Sequence, residues 1–430
     1  MRVALVNPNW SFDGSIYFGC REPHLPLEFG YAKALLERAG HQAAFFDAQL
    51  DDLDLDMLRR GVRDFYPDMT VVTTAPSYLF WRCAPPELRV PQLVQSALHG
   101  IGGLNVVVGP HGSTTPQPTL AKLAADIVVM GECEQTLVAL ADRGRGDWRD
   151  IPGIAYRANG HTSVQGGPQA TDMASLPPLQ WEPARLRRHR HHHHRFDAPA
   201  DGPGAEMETS RGCPYHCSFC AKQNFRDKYR RRPLPVILAE LDGLIAAGAT
   251  YVYFIDEIFL PNRDLLEGVA QRGIRFGVQT RLDLWSFEMI DLLGRAGCVS
   301  IEAGVESLTV EGREWLDKNC RMTTDEITER LIHAKRVVPF VQANLIASGS
   351  DDPDQVERWR AALLEHGVWA NKPVPLFPYP GSPDYTRLWG APDDRAWERA
   401  VDYYLDHYVD FSDIQELKPR RLAELELTAP

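Results

Sequence analysis

Short apolar runs rich in Val, Ile and Thr recur along the first third of the chain, each followed by a stretch whose apolar positions return with helical spacing. Residues 2–6 read as a strand, 27–38 as a helix closed by Gly40, 42–46 as a strand and 51–65 as a helix. Residues 69–74 and 105–108 read as short buried strands with helical residues 91–98 between them, and 125–130 as a fifth strand. Strand and helix alternating in this way predict a parallel sheet covered on both faces, which binds ligands beyond the carboxyl ends of its strands. Residues 154–167 read as a hairpin turning at Asn159-Gly160.

The alternation resumes after residue 205. A strand runs into Arg211, a helix spans 234–247, and the strand 251–255 closes on Asp256-Glu257. Next come a strand over 275–280 followed by Arg281, a helix over 287–296 and a strand over 299–304 leading into Val305-Glu306-Ser307. Residues 341–346 and 373–377 supply the last strands. About six βα units predict a partial (β/α)6 TIM-like barrel, whose active site lies at the strands' carboxyl ends. The chain thus divides into a flavodoxin-like (Rossmann-like) α/β domain over residues 1–170, a Pro/His-rich linker over 171–204, the partial barrel over 205–390 and a helical extension over 391–430. Prolines in the linker predict extended chain. The aromatic residues Trp397, Tyr403, Tyr404 and Tyr408 of the extension read as a packing stripe.

Composition narrows the function classes. A length of 430 residues accommodates two domains with proper cores. A net charge of −12 argues against a nucleic-acid surface. No apolar run reaches membrane-spanning length and the first residues carry no signal-peptide pattern, so the expectation is a cytoplasmic protein without a membrane partner. Eight cysteines, five of them scattered, do not make a disulfide framework. Residues 185–195 are basic and rich in histidine; they read as a solvated linker, with nickel or zinc capture or contact with an anionic ligand as sharper alternatives.

The chemistry concentrates in Arg211-Gly-Cys-Pro-Tyr-His-Cys-Ser-Phe-Cys-Ala-Lys222, where Cys213, Cys217 and Cys220 stand in a C-x3-C-x2-C spacing. Iron–sulfur cubanes are normally held by four cysteines, so a three-cysteine loop leaves one iron open to a small molecule. Structural zinc and core thiols are the bland readings, but zinc loops favour repeated C-x2-C pairs or ligating histidines. This loop resembles the signature of the radical SAM superfamily. The resemblance implies a [4Fe-4S] cluster on the three cysteines, S-adenosylmethionine on its open iron, a 5′-deoxyadenosyl radical and an external reductant of flavodoxin or ferredoxin type. It places Phe219 near the adenine. Glu302-Ala-Gly-Val-Glu-Ser307 resembles the family's E-x-G-x-E-S turn, which assigns Glu306 to the ribose hydroxyls with Gly304 permitting close approach; Lys318 matches a basic position that pairs with the methionyl carboxylate. Asp256, Gln279 and Arg281, at later strand ends, are expected to meet substrate, although Asp256 and Arg281 could equally pair with each other.

The loops at the strand ends of the first domain, carrying Asn7-Pro8, Ser77, Gly109-Pro-His111-Gly112-Ser113 and Gly131-Glu-Cys-Glu134, resemble those of the cobalamin-binding domain that precedes one branch of radical SAM enzymes. The D-x-H-x-x-G cobalt-ligating motif is absent, and His111 does not replace it. The resemblance therefore implies cobalamin, if bound, with no histidine on the metal. Residues 11–31 resemble the start of a narrower subgroup that includes the epimerase of orthosomycin (avilamycin-type) oligosaccharide biosynthesis. On that likeness the expected reaction is radical epimerisation of a sugar in an oligosaccharide, with Cys320 or Cys20 returning hydrogen. Cobalamin-dependent C-methylation of a small molecule is the alternative, and a non-catalytic cofactor or metal carrier stands outside catalysis.

Overall fold

The computed structural model describes residues 1–10, 23–76, 88–158, 160–189 and 202–408, without the side chains of Leu405 and Tyr408. Five parallel strands, β1 (Arg2–Asn7), β2 (Gln42–Asp47), β3 (Met69–Thr73), β4 (Leu104–Val108) and β5 (Ile127–Val129), form the first sheet. The hairpin β6 (Ile154–Ala158) and β7 (His161–Gln165) extends it antiparallel, giving the order β2-β1-β3-β4-β5-β6-β7. The alternation of the sequence produced this mixed sheet because side chains on both faces of the central strands are apolar. Val3, Leu5, Val71 and Val106 join one core, while Ala4, Val6, Val72 and Val107 join the other.

A second sheet is wholly parallel. Its order is β15-β14-β13-β12-β11-β8, built from β8 (Gly204–Met207), β11 (Tyr251–Phe254), β12 (Arg275–Thr280), β13 (Cys298–Glu306), β14 (Phe340–Ala347) and β15 (Trp369–Ala370), with β16 (Val374–Pro375) also pairing β14. Helices between successive strands cover its outer face, so the arrangement is the expected partial barrel with β8 at an open edge. A small antiparallel pair, β9 (Ser210–Arg211) and β10 (Arg230–Arg231), brackets the cysteine loop.

Three local readings need correction. Residues 109–116 form no open loop: a helix Pro110–Thr114 and another Pro116–Lys122 follow Gly109, each with proline in its first turn, where the missing N–H costs nothing. The linker likewise contains a helix, Pro183–Arg188, started by Pro183. It is tied to the end of β2 by Arg185 to Asp47 (2.7 Å) and Arg188 to Asp51 (2.5 Å). Two further helices, Thr324–Val337 and Pro353–Glu365, are absent from the expectation above; Thr323 and Glu326 form a capping box on the first and Asp352 caps the second.

Candidate active site

β8 ends at Met207, and Glu208-Thr209 hand the chain to the cysteine loop, which is held from four sides. The Gly212 N–H donates to Glu257 (2.8 Å) and the Ser218 N–H to the Leu316 carbonyl (2.9 Å). The Ser218 hydroxyl donates to Asp384 (3.1 Å), and Arg211 pairs with Arg230 across β9 and β10. Gly212 has φ +78°, and a Cβ there would lie 2.2 Å from the Lys228 carbonyl oxygen, so only glycine fits the turn. Asp256 accepts from the Thr209 N–H (2.7 Å), the Thr209 hydroxyl (2.5 Å) and the Ser210 hydroxyl (2.7 Å). The Asp256-Glu257 end of β11 therefore supports the cysteine loop. Burial pushes the Asp256 carboxyl up to about 7, against the pull of those hydrogen bonds.

The three thiols are half-buried and free of disulfides. Burial raises all three, Cys217 to about 11 and Cys220 to about 12, while positive charges on Lys222, Lys318 and Arg281 work in the opposite direction. Iron binding at these sulfurs would accordingly release protons. Phe219 lies half-buried next to Cys220 in the chain. Lys318 ion-pairs with Glu306 and donates to the Gly304 carbonyl (3.0 Å). Glu306 sits at a register shift in β13 with φ +63°, a conformation rare outside glycine, which turns its carboxylate toward Lys318.

Arg281 and Asp256 do not pair with each other. Arg281 stacks over Tyr215 of the loop (4.0 Å), pairs with Asp283 (2.7 Å) and donates to the Lys318 carbonyl (2.7 Å). Cys320 is buried beside Asp283, and burial raises its thiol above the ordinary range. Gln279 shares a row with Glu302 and Gln342 across β12, β13 and β14, and the Oε1 atoms of both glutamines are buried without a hydrogen-bond partner among the described residues.

In the first domain, Asn7 donates to Asp47 (2.8 Å) and accepts from Trp10 (3.1 Å), and Pro8 is buried beside it. His111 is fully buried, contacts the Thr74 hydroxyl (3.0 Å) and packs on Trp397 of the C-terminal helix Ala396–Tyr408 (4.2 Å between centroids). Ser113 donates to the Gly109 carbonyl and accepts from the Gly131 N–H (2.8 Å). A Cβ on Gly112 would strike Val128 and one on Gly131 the Gln169 backbone, so both glycines serve packing inside the domain. Ser77, Cys20 and residues 190–194 of the histidine run lie outside the described residues.

The contacts that join the first sheet to the cysteine loop are absent from the expectations above. The Gly131-Glu132-Cys133-Glu134 turn meets Arg211, which is fully buried and contacts Glu132 (3.0 Å), Glu134 (2.7 Å) and Glu208 (2.9 Å). Arg226 adds Glu208 (2.7 Å) and Glu257 (3.2 Å), and Arg230 pairs with Glu132. Burial alone would raise the Glu132 carboxyl; the Arg211, Arg230 and Arg226 guanidinium groups outweigh it and hold it at about 2. The charged residues were visible in the sequence, but nothing in their spacing paired a turn at residue 132 with a loop at residue 211.

The Radical SAM superfamily model matches residues 207–360, from the last residue of β8 through β14 into the helix that follows, so this region carries radical SAM catalytic machinery. An uncharacterised methyltransferase of Pyrococcus horikoshii is 24% identical over 404 residues, covering 90% of this chain and 82% of that protein. The anaerobic magnesium-protoporphyrin IX monomethyl ester cyclase of Cereibacter sphaeroides is 24% identical over 409 residues, covering 90% of this chain but 64% of that protein. The structure of the radical S-adenosylmethionine methyltransferase TsrM from Kitasatospora setae, with cobalamin and a [4Fe-4S] cluster bound, superposes with a TM-score of 0.70 at 19% identity, over 90% of this chain and 77% of that one. These likenesses overturn the expected kinship with an orthosomycin epimerase, and sugar epimerisation with it. That expectation rested on residues 11–31, most of which the structure does not describe. The reaction for which Cys320 and Cys20 were to return hydrogen falls away with it.

Proposed function

We propose that this chain is a radical SAM methyltransferase that holds an iron–sulfur cluster on Cys213, Cys217 and Cys220, binds cobalamin on its first sheet and methylates a small molecule. The observation that carries this reading is the joined pair of domains, a flavodoxin-like sheet locked to a partial barrel through Arg211 and the Glu132-Glu134 turn, in the composite fold that TsrM also has. Open sheets with the order 2-1-3-4-5 take ligands where β1 and β3 diverge. At the end of β3 the Thr73 hydroxyl is buried without a hydrogen-bond partner among the described residues, a polar atom that a ligand would satisfy. When bound, the cluster with S-adenosylmethionine would supply a radical that takes a hydrogen atom from carbon, and cobalamin would supply a transferable methyl group.

The protein's part is positioning and exclusion of water. Three thiols on a loop fixed by Glu257, Leu316 and Asp384 fit a cluster with one open iron. Glu306, set by the strained turn, is assigned to the ribose hydroxyls, and Lys318, which neutralises it, to the methionyl carboxylate. The unpartnered Oε1 atoms of Gln279 and Gln342 favour a neutral substrate rich in hydroxyl or amide donors. An external one-electron reductant of flavodoxin or ferredoxin type completes the partners. The test is incubation of the reduced, reconstituted protein with S-adenosylmethionine carrying a trideuterated methyl group and candidate small molecules. A product heavier by one labelled methyl supports the reading, and turnover that yields no methylated product opposes it.

A further inference from the structure

Separate from the cysteine loop, two histidines from distant parts of the chain converge on one buried carboxylate. His24 precedes the helix Leu27–Arg38 of the first domain, His189 ends the linker helix Pro183–Arg188, and Glu206 lies on β8, the open edge of the barrel. His24 is 6% exposed, His189 and Glu206 1% each. His24 Nδ1 lies 2.7 Å from Glu206 Oε1, and His189 Nε2 lies 3.2 Å from Glu206 Oε2. One ligand atom from each of the three residues fits within 4.8 Å of the others.

The contacts around the three residues orient them toward a common point. His189 Nδ1 is 3.2 Å from the Gly204 carbonyl oxygen and Nε2 is 3.2 Å from Glu206 Oε2, both of which can only accept, so a neutral ring with one N–H satisfies one of the two contacts. With the N–H on Nδ1, the Nε2 lone pair faces the carboxylate, and a cation between them, a second proton or a metal ion, satisfies that contact. A ring N–H donated to a backbone carbonyl is also the usual outer partner of a metal-ligating histidine. The Leu25 N–H donates to Glu206 Oε2 (3.2 Å), fixing the carboxylate as outer-shell donors fix a ligating one. Two imidazoles and a carboxylate form a borderline nitrogen and oxygen donor set of the kind zinc takes.

We infer that His24, His189 and Glu206 form a zinc site that fastens the first domain and the linker to the open edge of the barrel. Zinc here would tie down β8, beyond which no strand of the sheet lies among the described residues. Glu206 is the penultimate residue of β8, two residues before Glu208.

The experiment is zinc analysis of the full-length, cluster-loaded protein after exposure to zinc and dialysis, with zinc-edge X-ray absorption on the same sample. The wild type is expected to retain one zinc ion per chain with nitrogen or oxygen neighbours at about 2.0–2.1 Å and no sulfur at about 2.3 Å. His24→Ala and His189→Ala should each lose that zinc. Glu206→Gln, which preserves shape, should lose it as well and covers the case in which a histidine variant does not fold. Zinc retained in a folded variant of any of the three, or absent from the wild type, overturns the site, as does sulfur in the coordination shell. Replacing His191, His192, His193 and His194 together with asparagine should leave the zinc in place; its loss would assign the metal to that run and overturn the inference. Iron content reports on the cysteine loop independently, so failure of the zinc site leaves the proposed function standing and the reverse also holds.

Discussion

Lys318 and Glu306 show how two residues read separately become one device. Both are more than four-fifths buried, so removing the cation leaves a carboxylate without its counter-charge, a loss of about 3–5 kcal/mol for a fully buried pair and less here because Glu306 keeps some exposure. Lys318→Met is therefore expected to lower the denaturant midpoint and weaken binding of S-adenosylmethionine, whereas a changed affinity with unchanged stability would show that the pair does not form. Asp256 gives a pH-dependent test. Its folded carboxyl titrates near 7, above the ordinary value of 3.8, so its contribution to stability is full below pH 4 and fades as the pH rises through 7. The difference in unfolding free energy between wild type and Asp256→Asn should consequently change across pH 4 to 7, and a constant difference would contradict the assignment. The residue types were legible here, since Glu306, Lys318, Asp256 and Arg281 all lie around the loop or its supports. Their partners were not, because Asp256 accepts from the Thr209 N–H and Arg281 donates to the Lys318 carbonyl, main-chain groups that a one-dimensional pattern does not bring together.

At the scale of elements, the alternation of apolar runs gave the strands well, because buried parallel strands need apolar side chains on both faces. It gave poor boundaries where proline intervened. Prolines at 110, 116 and 183 open helices instead of interrupting extended chain. The same sequence feature supports both outcomes, and tertiary packing decides between them; Leu186, buried in the core cluster, adds to the Arg185 and Arg188 ion pairs that hold the linker helix. The cysteine loop depends on its own turn element. Gly212→Ala would drive a Cβ into the Lys228 carbonyl and separate β9 from β10, so iron bound per chain after reconstitution should fall well below that of wild type while the barrel's far-ultraviolet circular dichroism persists. Full iron loading in that variant would show that the loop does not need this turn.

For the whole molecule, the decisive contact is the buried network that joins Glu132 and Glu134 to Arg211, Arg226 and Arg230. Glu132 is held at about 2, below the usual glutamate value of 4.5, so its stabilising contribution is present above pH 4.5 and is lost as the pH falls through 2. Acid should weaken the junction in that window, and Glu132→Gln should remove that part of the acid sensitivity, as read by limited proteolysis between the domains. The two sheets were legible from the chain; the junction was not, because it links residues about 80 apart whose charges look like ordinary surface groups in sequence. Among the described residues no helix is long and apolar enough to cross a membrane. The central claim, that this chain moves a methyl group with the help of cobalamin, is tested most directly by quantifying S-adenosylhomocysteine from the reduced, cluster-loaded protein with S-adenosylmethionine, with and without added cobalamin. S-adenosylhomocysteine is expected to form only with both cobalamin and the three loop cysteines present; formation of 5′-deoxyadenosine alone, indifferent to cobalamin, would rule methyl transfer out.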